Sequence, residues 1–87
     1  MIPAWSPNGW EDYCWWLEHD RKMLKKINRL LAEILRNPHA LEGSGKPERL
    51  RQNLAGLVSR RINQEHRLVY EAKEEMVIIH QCRFHYG

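Results

Sequence analysis

Apolar residues recur at helical spacing in the first part of the chain and collect into short strand-like runs in the last. Trp10, Tyr13, Cys14 and Leu17 fall three or four apart, which predicts a helix. Ser6 stands where a cap belongs, and Pro7 suits the first helical position. Met23, Leu24, Ile27, Leu30, Leu31 and Ile34 make a second apolar stripe. Arg21, Lys22, Lys25, Lys26 and Arg29 occupy its opposite face. Asp20 either caps this second helix or continues into it, and Asn37-Pro38 ends it. Residues 37–48 hold Pro38, Gly43, Gly45 and Pro47 and read as a loop. Residues 57–63, 67–72 and 76–82 are rich in Val, Ile, Leu and Tyr. Their separators, Asn63-Gln64-Glu65 and Lys73-Glu74-Glu75, make them three strands of an antiparallel meander. Residues 1–5 are a short apolar lead that reads as an edge strand.

Helices first and strands afterwards imply an α+β fold, with two N-terminal helices packed on one face of a twisted antiparallel sheet. With 87 residues, a single domain spanning 1–87 is expected, with a modest core and little room for a cofactor pocket. All four tryptophans precede residue 17. Trp10 and one of Trp15 and Trp16 are expected as core anchors, although stacking on RNA bases is open to them. Cys14 and Cys82 form no CxxC pair, so neither a zinc site nor a disulfide framework is implied; two buried thiols in a reducing cytoplasm are expected. No apolar run reaches the length of a membrane span, and no basic-then-apolar leader opens the chain.

The net charge is +3. Between positions 46 and 67, six basic residues (Lys46, Arg49, Arg51, Arg60, Arg61 and Arg67) face only Glu48 and Glu65, so this stretch carries +4 and the remainder −1. A concentrated cationic face suits a polyanion such as RNA, though it is equally what a solvated protein surface looks like. RNA can be cut without a metal or any other cofactor. A base takes the 2′-OH proton, the 2′ oxygen attacks the adjacent phosphorus, and an acid protonates the departing 5′ oxygen. Cations stabilise the added charge at phosphorus. Glu48, His85, Arg61 and Arg67 offer these groups. A three-residue hairpin loop at 63–65 would place Ile62 opposite His66 and Arg61 opposite Arg67. Like charges so placed repel, and an anion held between them offsets that cost. Pairing of these arginines with Glu65 or Glu71 is the competing reading. Lys46, Arg49 and Arg51 favour ionised Glu48, as a base requires. His85 follows the last strand, and Tyr86 beside it could stack on a base.

The segments GKPERL at 45–50, NLAGLVSRRI at 53–62, EHRLVY at 65–70 and CRFHY at 82–86 together resemble the YoeB/Txe toxins, within the RelE-like group. So do AWS-x-x-x-W-EDY-x-x-W at 4–16 and KKIN-x-L at 25–30, in the same order along nearly the whole chain. The resemblance implies a compact fold like that of microbial ribonucleases. It implies a type II toxin that cuts mRNA in the ribosomal A site and thereby stops translation. It assigns Glu48 as general base, His85 as general acid and Arg67 as the arginine on the scissile phosphate. Arg61 is then a second arginine of the site, Tyr86 the aromatic that positions RNA, and Arg51 a substrate-binding residue where relatives carry lysine. Gly87 extends one residue past the tyrosine at which relatives end. The implied partners are mRNA, the ribosome with its rRNA, and a YefM-like antitoxin whose acidic, disordered segment folds over the site; a homodimer is compatible with the resemblance. A non-catalytic inhibitor of the same fold acting on a target such as DNA gyrase, or a plain RNA-binding module, are the alternatives.

Overall fold

The helix starts follow from their capping chemistry. The computed structural model describes residues 1–85, and Tyr86 and Gly87 lie outside the described residues. The edge strand β1 (Ile2–Trp5) leads into helix α1 (Pro7–His19), whose first turn is capped by Ser6: its Oγ accepts from the Gly9 N–H at 3.0 Å. Asp20 then serves both helices. Its own N–H donates to the Trp16 carbonyl at 2.8 Å, ending α1. Its carboxylate accepts from the Lys22 and Met23 N–H groups at 3.2 Å, starting α2 (Arg21–Arg36). The expected stripe on α2 is the buried one, with Leu24, Ile27, Leu30, Leu31 and Ile34 in the core.

After the loop come β2 (Glu48–Arg49), β3 (Val58–Arg61), β4 (Arg67–Lys73) and β5 (Met76–Gln81), and the sheet order is β1-β5-β4-β3-β2. Strands β3, β4 and β5 form the expected antiparallel meander. The sheet as a whole is mixed, because β1 pairs in parallel with β5. Parallel neighbours need a long crossover, and everything between β1 and β5 supplies it. Strand β2 falls where a loop was expected; two residues are too few to show a strand pattern.

One side of the sheet carries Tyr70, Val77 and Ile79, and these meet Ile27, Ile34 and Trp16 in a single apolar core. One expectation for α1, Trp10 as a core anchor, is corrected, and of Trp15 and Trp16 the second is the core anchor. Trp10 is 53% exposed and Leu17 is also exposed, whereas Trp16 is 4% exposed and is the tryptophan in the core. The cause is Gly9. A Cβ there would run into the Ile79 carbonyl of the sheet, so the helix approaches β5 through its glycine. That approach turns Trp10 and Leu17 outward. One step on β4 (Val69 to Tyr70) spans two on β5 (Gln81 to Ile79), so His80 bulges from the ladder. The His80 carbonyl takes hydrogen bonds from Ser6 Oγ at 3.2 Å and Asn8 Nδ2 at 3.1 Å, which tie the start of α1 to the bulge.

An exposed helical glycine normally gains about 1 kcal/mol on replacement by alanine. Gly9→Ala is expected to do the opposite, lowering unfolding free energy by about 1–3 kcal/mol as the helix is pushed off β5. Denaturant unfolding measures it; a stabilised variant would show that α1 does not rest on this contact.

Candidate active site

Strand alternation divides two neighbouring arginines on β3 between opposite jobs. Arg60 points into the molecule and is 1% exposed, so it does not belong to the cationic surface on which the sequence placed it. Its Nε donates to the Tyr70 hydroxyl at 3.0 Å, and its Nη1 donates to the Glu33 carboxylate and to the Ser44 carbonyl. The Ser44 N–H and Oγ also donate to Glu33, at 3.0 and 3.1 Å. The Ser44 backbone N–H, with help from the Ser44 hydroxyl and Arg60, holds the Glu33 carboxyl below its ordinary value. A buried guanidinium needs such a counter-charge. Here the counter-charge also fastens residues 43–46 to α2 and β3. Gly45 makes the close approach possible: its φ is +81°, a Cβ would press on the Arg61 carbonyl, and its own carbonyl accepts from the Arg61 N–H at 2.6 Å.

Arg61 points the other way. The hairpin has the expected register, with Arg61 opposite Arg67 and the Ile62 N–H donating to the His66 carbonyl at 2.9 Å. Asn63 Oδ1 fixes the loop by accepting from the Glu65 and His66 N–H groups, both at 2.8 Å. Neither arginine is paired with Glu65 or Glu71. Arg67 Nη1 donates to the loop carbonyls of Asn63, Gln64 and His66. Glu71 is taken by His80 and Lys73, and Arg61 and Arg67, opposite one another in the ladder, line the same cleft. On β2, Glu48 lies opposite Ser59, two residues from Arg61 along β3 and on the same side of the sheet.

The fourth element is the segment after β5. Trp16 Nε1 donates to the Cys82 carbonyl at 2.8 Å, and the Cys82 N–H donates to Asp12 at 3.1 Å. The Phe84 N–H donates to His66 Nδ1 at 2.7 Å, and the Phe84 carbonyl accepts from the Arg67 N–H at 3.0 Å and from Gln81 Nε2 at 3.1 Å. Because His66 Nδ1 accepts, the proton of the neutral ring sits on Nε2. The Arg83 guanidinium lies 3.9 Å above the Trp15 ring. Phe84 is held at φ +61°, a conformation L residues rarely adopt. Burial pushes the Asp12 carboxyl up, and it pushes the Cys82 thiol up to about 12. Cys82 is therefore a buried thiol and no nucleophile; Cys14 is half-buried.

These elements bring Lys46, Glu48, Ser59, Arg61, Arg67 and His85 to the walls of one cleft of about 260 Å³. Four of the residues singled out from sequence (Glu48, Arg61, Arg67 and His85) line it. Arg51 does not. It lines the adjoining hollow with Leu41, Glu48, Arg49 and Leu50. Tyr86 lies outside the described residues. Lys46 and Ser59 line the cleft without having been singled out. Lys46 could have been found from its position two residues before Glu48, whereas nothing in the sequence marks Ser59. The positioning roles of Asp12, Trp16 and His66 carry no sequence signal either, since they depend on contacts between distant segments. Among the described residues, no three His, Cys, Asp or Glu side chains converge to hold a metal ion. The walls of the cleft carry a carboxylate, an imidazole and three cations.

Residues 5–86 match the family of YoeB-like toxins of bacterial type II toxin–antitoxin systems. The toxin YoeB of Escherichia coli K12 is 49% identical over 86 residues, covering 99% of this chain and 100% of the relative. A solved structure described as a YoeB/ParE toxin from Agrobacterium tumefaciens superposes with a TM-score of 0.92 at 43% identity, covering 99% of this chain and 100% of the other. The YoeB dimer from Staphylococcus aureus superposes with a TM-score of 0.89 at 51% identity, covering 99% and 98%; a YoeB–YefM complex from the same organism gives 0.89 at 50%, with the same coverage.

The Glu33 brace has a pH signature. A carboxyl held below its ordinary value of 4.5 stabilises the fold above that pH and loses its contribution as pH falls below it. Glu33→Gln is expected to melt below wild type at neutral pH, with the gap closing as pH is lowered through 4.5 and beyond. Melting curves for the two proteins that stay parallel across this window would remove Glu33 from the brace.

Proposed function

The chain belongs to the YoeB-like toxin family of type II toxin–antitoxin systems, and on that premise we propose that it is an endoribonuclease that cuts mRNA in the ribosomal A site by metal-independent transesterification. The observation that supports this reading is the shared cleft of Glu48, Arg61, Arg67 and His85. In the proposed reaction Glu48 takes the proton of the 2′-OH, and the 2′ oxygen forms a bond to the adjacent phosphorus. Protonated His85 gives its proton to the 5′ oxygen as the P–O5′ bond breaks. The products are a 2′,3′-cyclic phosphate and a 5′-OH. Arg61, Arg67 and Lys46 surround the phosphorus with positive charge where the intermediate carries more negative charge than the substrate. Arg51 contacts the strand from the adjoining hollow, and Tyr86 positions a base.

The cationic cleft also defines the partner that silences it. A relative is known as a YoeB–YefM complex, and we extend to this chain an antitoxin whose acidic segment covers the cleft and neutralises the Arg61–Arg67 pair. A relative also forms a dimer.

Primer extension on a defined mRNA held on 70S ribosomes tests the chemistry. Wild type is expected to give a discrete A-site stop that needs the ribosome. His85→Ala and Glu48→Ala are each expected to slow cleavage by about 10²–10⁴-fold while circular dichroism and melting stay near wild type. Full activity in either folded variant would sink its assigned role. No cut by folded wild type would sink the nuclease reading itself.

A further inference from the structure

A second cleft, of about 440 Å³, opens along α2 between Lys26, Arg29, Glu33 and Arg36 of the helix and Gly45 and Arg61 opposite. We propose that it is a subsite for the phosphodiester backbone of the RNA strand flanking the cleaved nucleotide, an inference that rests on the endonuclease reading above. Continuity carries it. Arg61 lines both clefts, and the consecutive residues Gly45 and Lys46 line one each. The two clefts therefore adjoin at Arg61 and at the Gly45–Lys46 step, where a strand bound in one would pass to the other.

The lining also has the right chemistry. Four cations surround the space against a single carboxylate. That carboxylate, Glu33, is committed to Arg60 and Ser44. Among the described residues, Lys26, Arg29, Arg36 and Arg61 are in no ion pair. Four unneutralised cations around one hollow repel, and a polyanion removes that cost. No lining residue is aromatic, so the cleft has no platform for stacking bases. It is equipped to hold phosphates by arginine forks and a lysine, independently of sequence. From Lys26 to Arg36 the helix rises roughly 15 Å, against about 3.4 Å per nucleotide of a stacked strand, so more than one phosphate fits.

The test compares two triple variants of equal charge on the same exposed helix. Lys26→Gln/Arg29→Gln/Arg36→Gln empties the cleft of its helix-borne cations, and Arg21→Gln/Lys22→Gln/Lys25→Gln removes three charges outside it. The probes are uncleavable 2′-O-methyl RNAs: a trinucleotide that fills only the smaller cleft, and a strand of about twelve nucleotides, titrated over a range of salt. The cleft variant is expected to weaken the long strand about tenfold and to reduce its salt slope by about 2, near 0.7 for each of three phosphates. Its trinucleotide affinity should stay within about twofold of wild type, and the control variant should resemble wild type with both probes. The proposal is overturned if the two variants weaken the long strand equally, if neither does, or if wild type binds the long strand no better than the trinucleotide. It is also overturned if the cleft variant loses affinity only for an acidic peptide, which would make the cleft a protein-docking surface. Binding needs no chemistry. A wild type that fills the cleft but cuts no mRNA therefore refutes the nuclease reading and leaves the subsite standing as an RNA-backbone site.

Discussion

His85 stands in the cleft only because the three residues before it are tied down. Residues past a final strand fray unless something holds them. Here Asp12 and Trp16 reach from α1 to Cys82, and His66 and Arg67 reach from the hairpin to Phe84. The hairpin holds Phe84 from both sides, its N–H by the His66 ring and its carbonyl by the Arg67 N–H. That clasp keeps Phe84 in a left-handed conformation that the free chain would leave. It also places His85 within the same cleft as the Arg67 side chain, so one strand end supplies both a cation and the anchor of the imidazole. The α1 contacts work only because Gly9 lets that helix lie against β5. The route from a glycine in the first helix to a histidine at the far end of the chain is continuous.

The opposite wall depends on a second constraint, the burial of Arg60. A guanidinium sent inward by strand alternation is costly without a counter-charge. Glu33 supplies that charge, and Ser44 is drawn into the same network. The loop preceding β2 is thereby stitched to α2, and Lys46 (itself at φ +50°) and Glu48 inherit a fixed position. Arg60 and Arg61 are adjacent and chemically identical. One is consumed by structure, and the other is left on the wall of the cleft.

The sequence shows what local chemistry decides. The cap at Ser6, the α2 stripe and the meander follow from side-chain type and spacing, whereas Asp20 as a cap and the register that opposes Arg61 to Arg67 are each one of two readings that the sequence leaves open and the fold decides. What it hides depends on which face meets which. The spacing of Trp10, Cys14 and Leu17 is helical, yet the close approach at Gly9 turns Trp10 and Leu17 outward and buries Trp16. Arg60 counts toward a basic stretch until strand direction sends it inside. Glu48 reads as a loop residue because a two-residue strand has no pattern of its own. The family resemblance marks Glu48, Arg61, Arg67 and His85 as site residues. Ser59, and the supporting set of Asp12, Trp16, Glu33 and His66, emerge only from contacts across the fold.

Two independent tethers, one for the loop wall and one for the terminal wall, imply a site assembled before any ligand arrives. Little side-chain ordering then remains to be supplied on binding. In the proposed reaction the remaining requirement lies in the RNA, whose 2′ oxygen, phosphorus and departing 5′ oxygen must come into line. A flexible single strand holds that geometry only a fraction of the time, and a partner that presents a codon in a fixed, splayed conformation would supply it. On this view the ribosome's contribution is to the substrate's conformation more than to the protein's. A cleft that grips the flanking backbone without reading bases fits that division of labour, because it adds affinity for the strand while leaving its conformation at the cut to be set elsewhere.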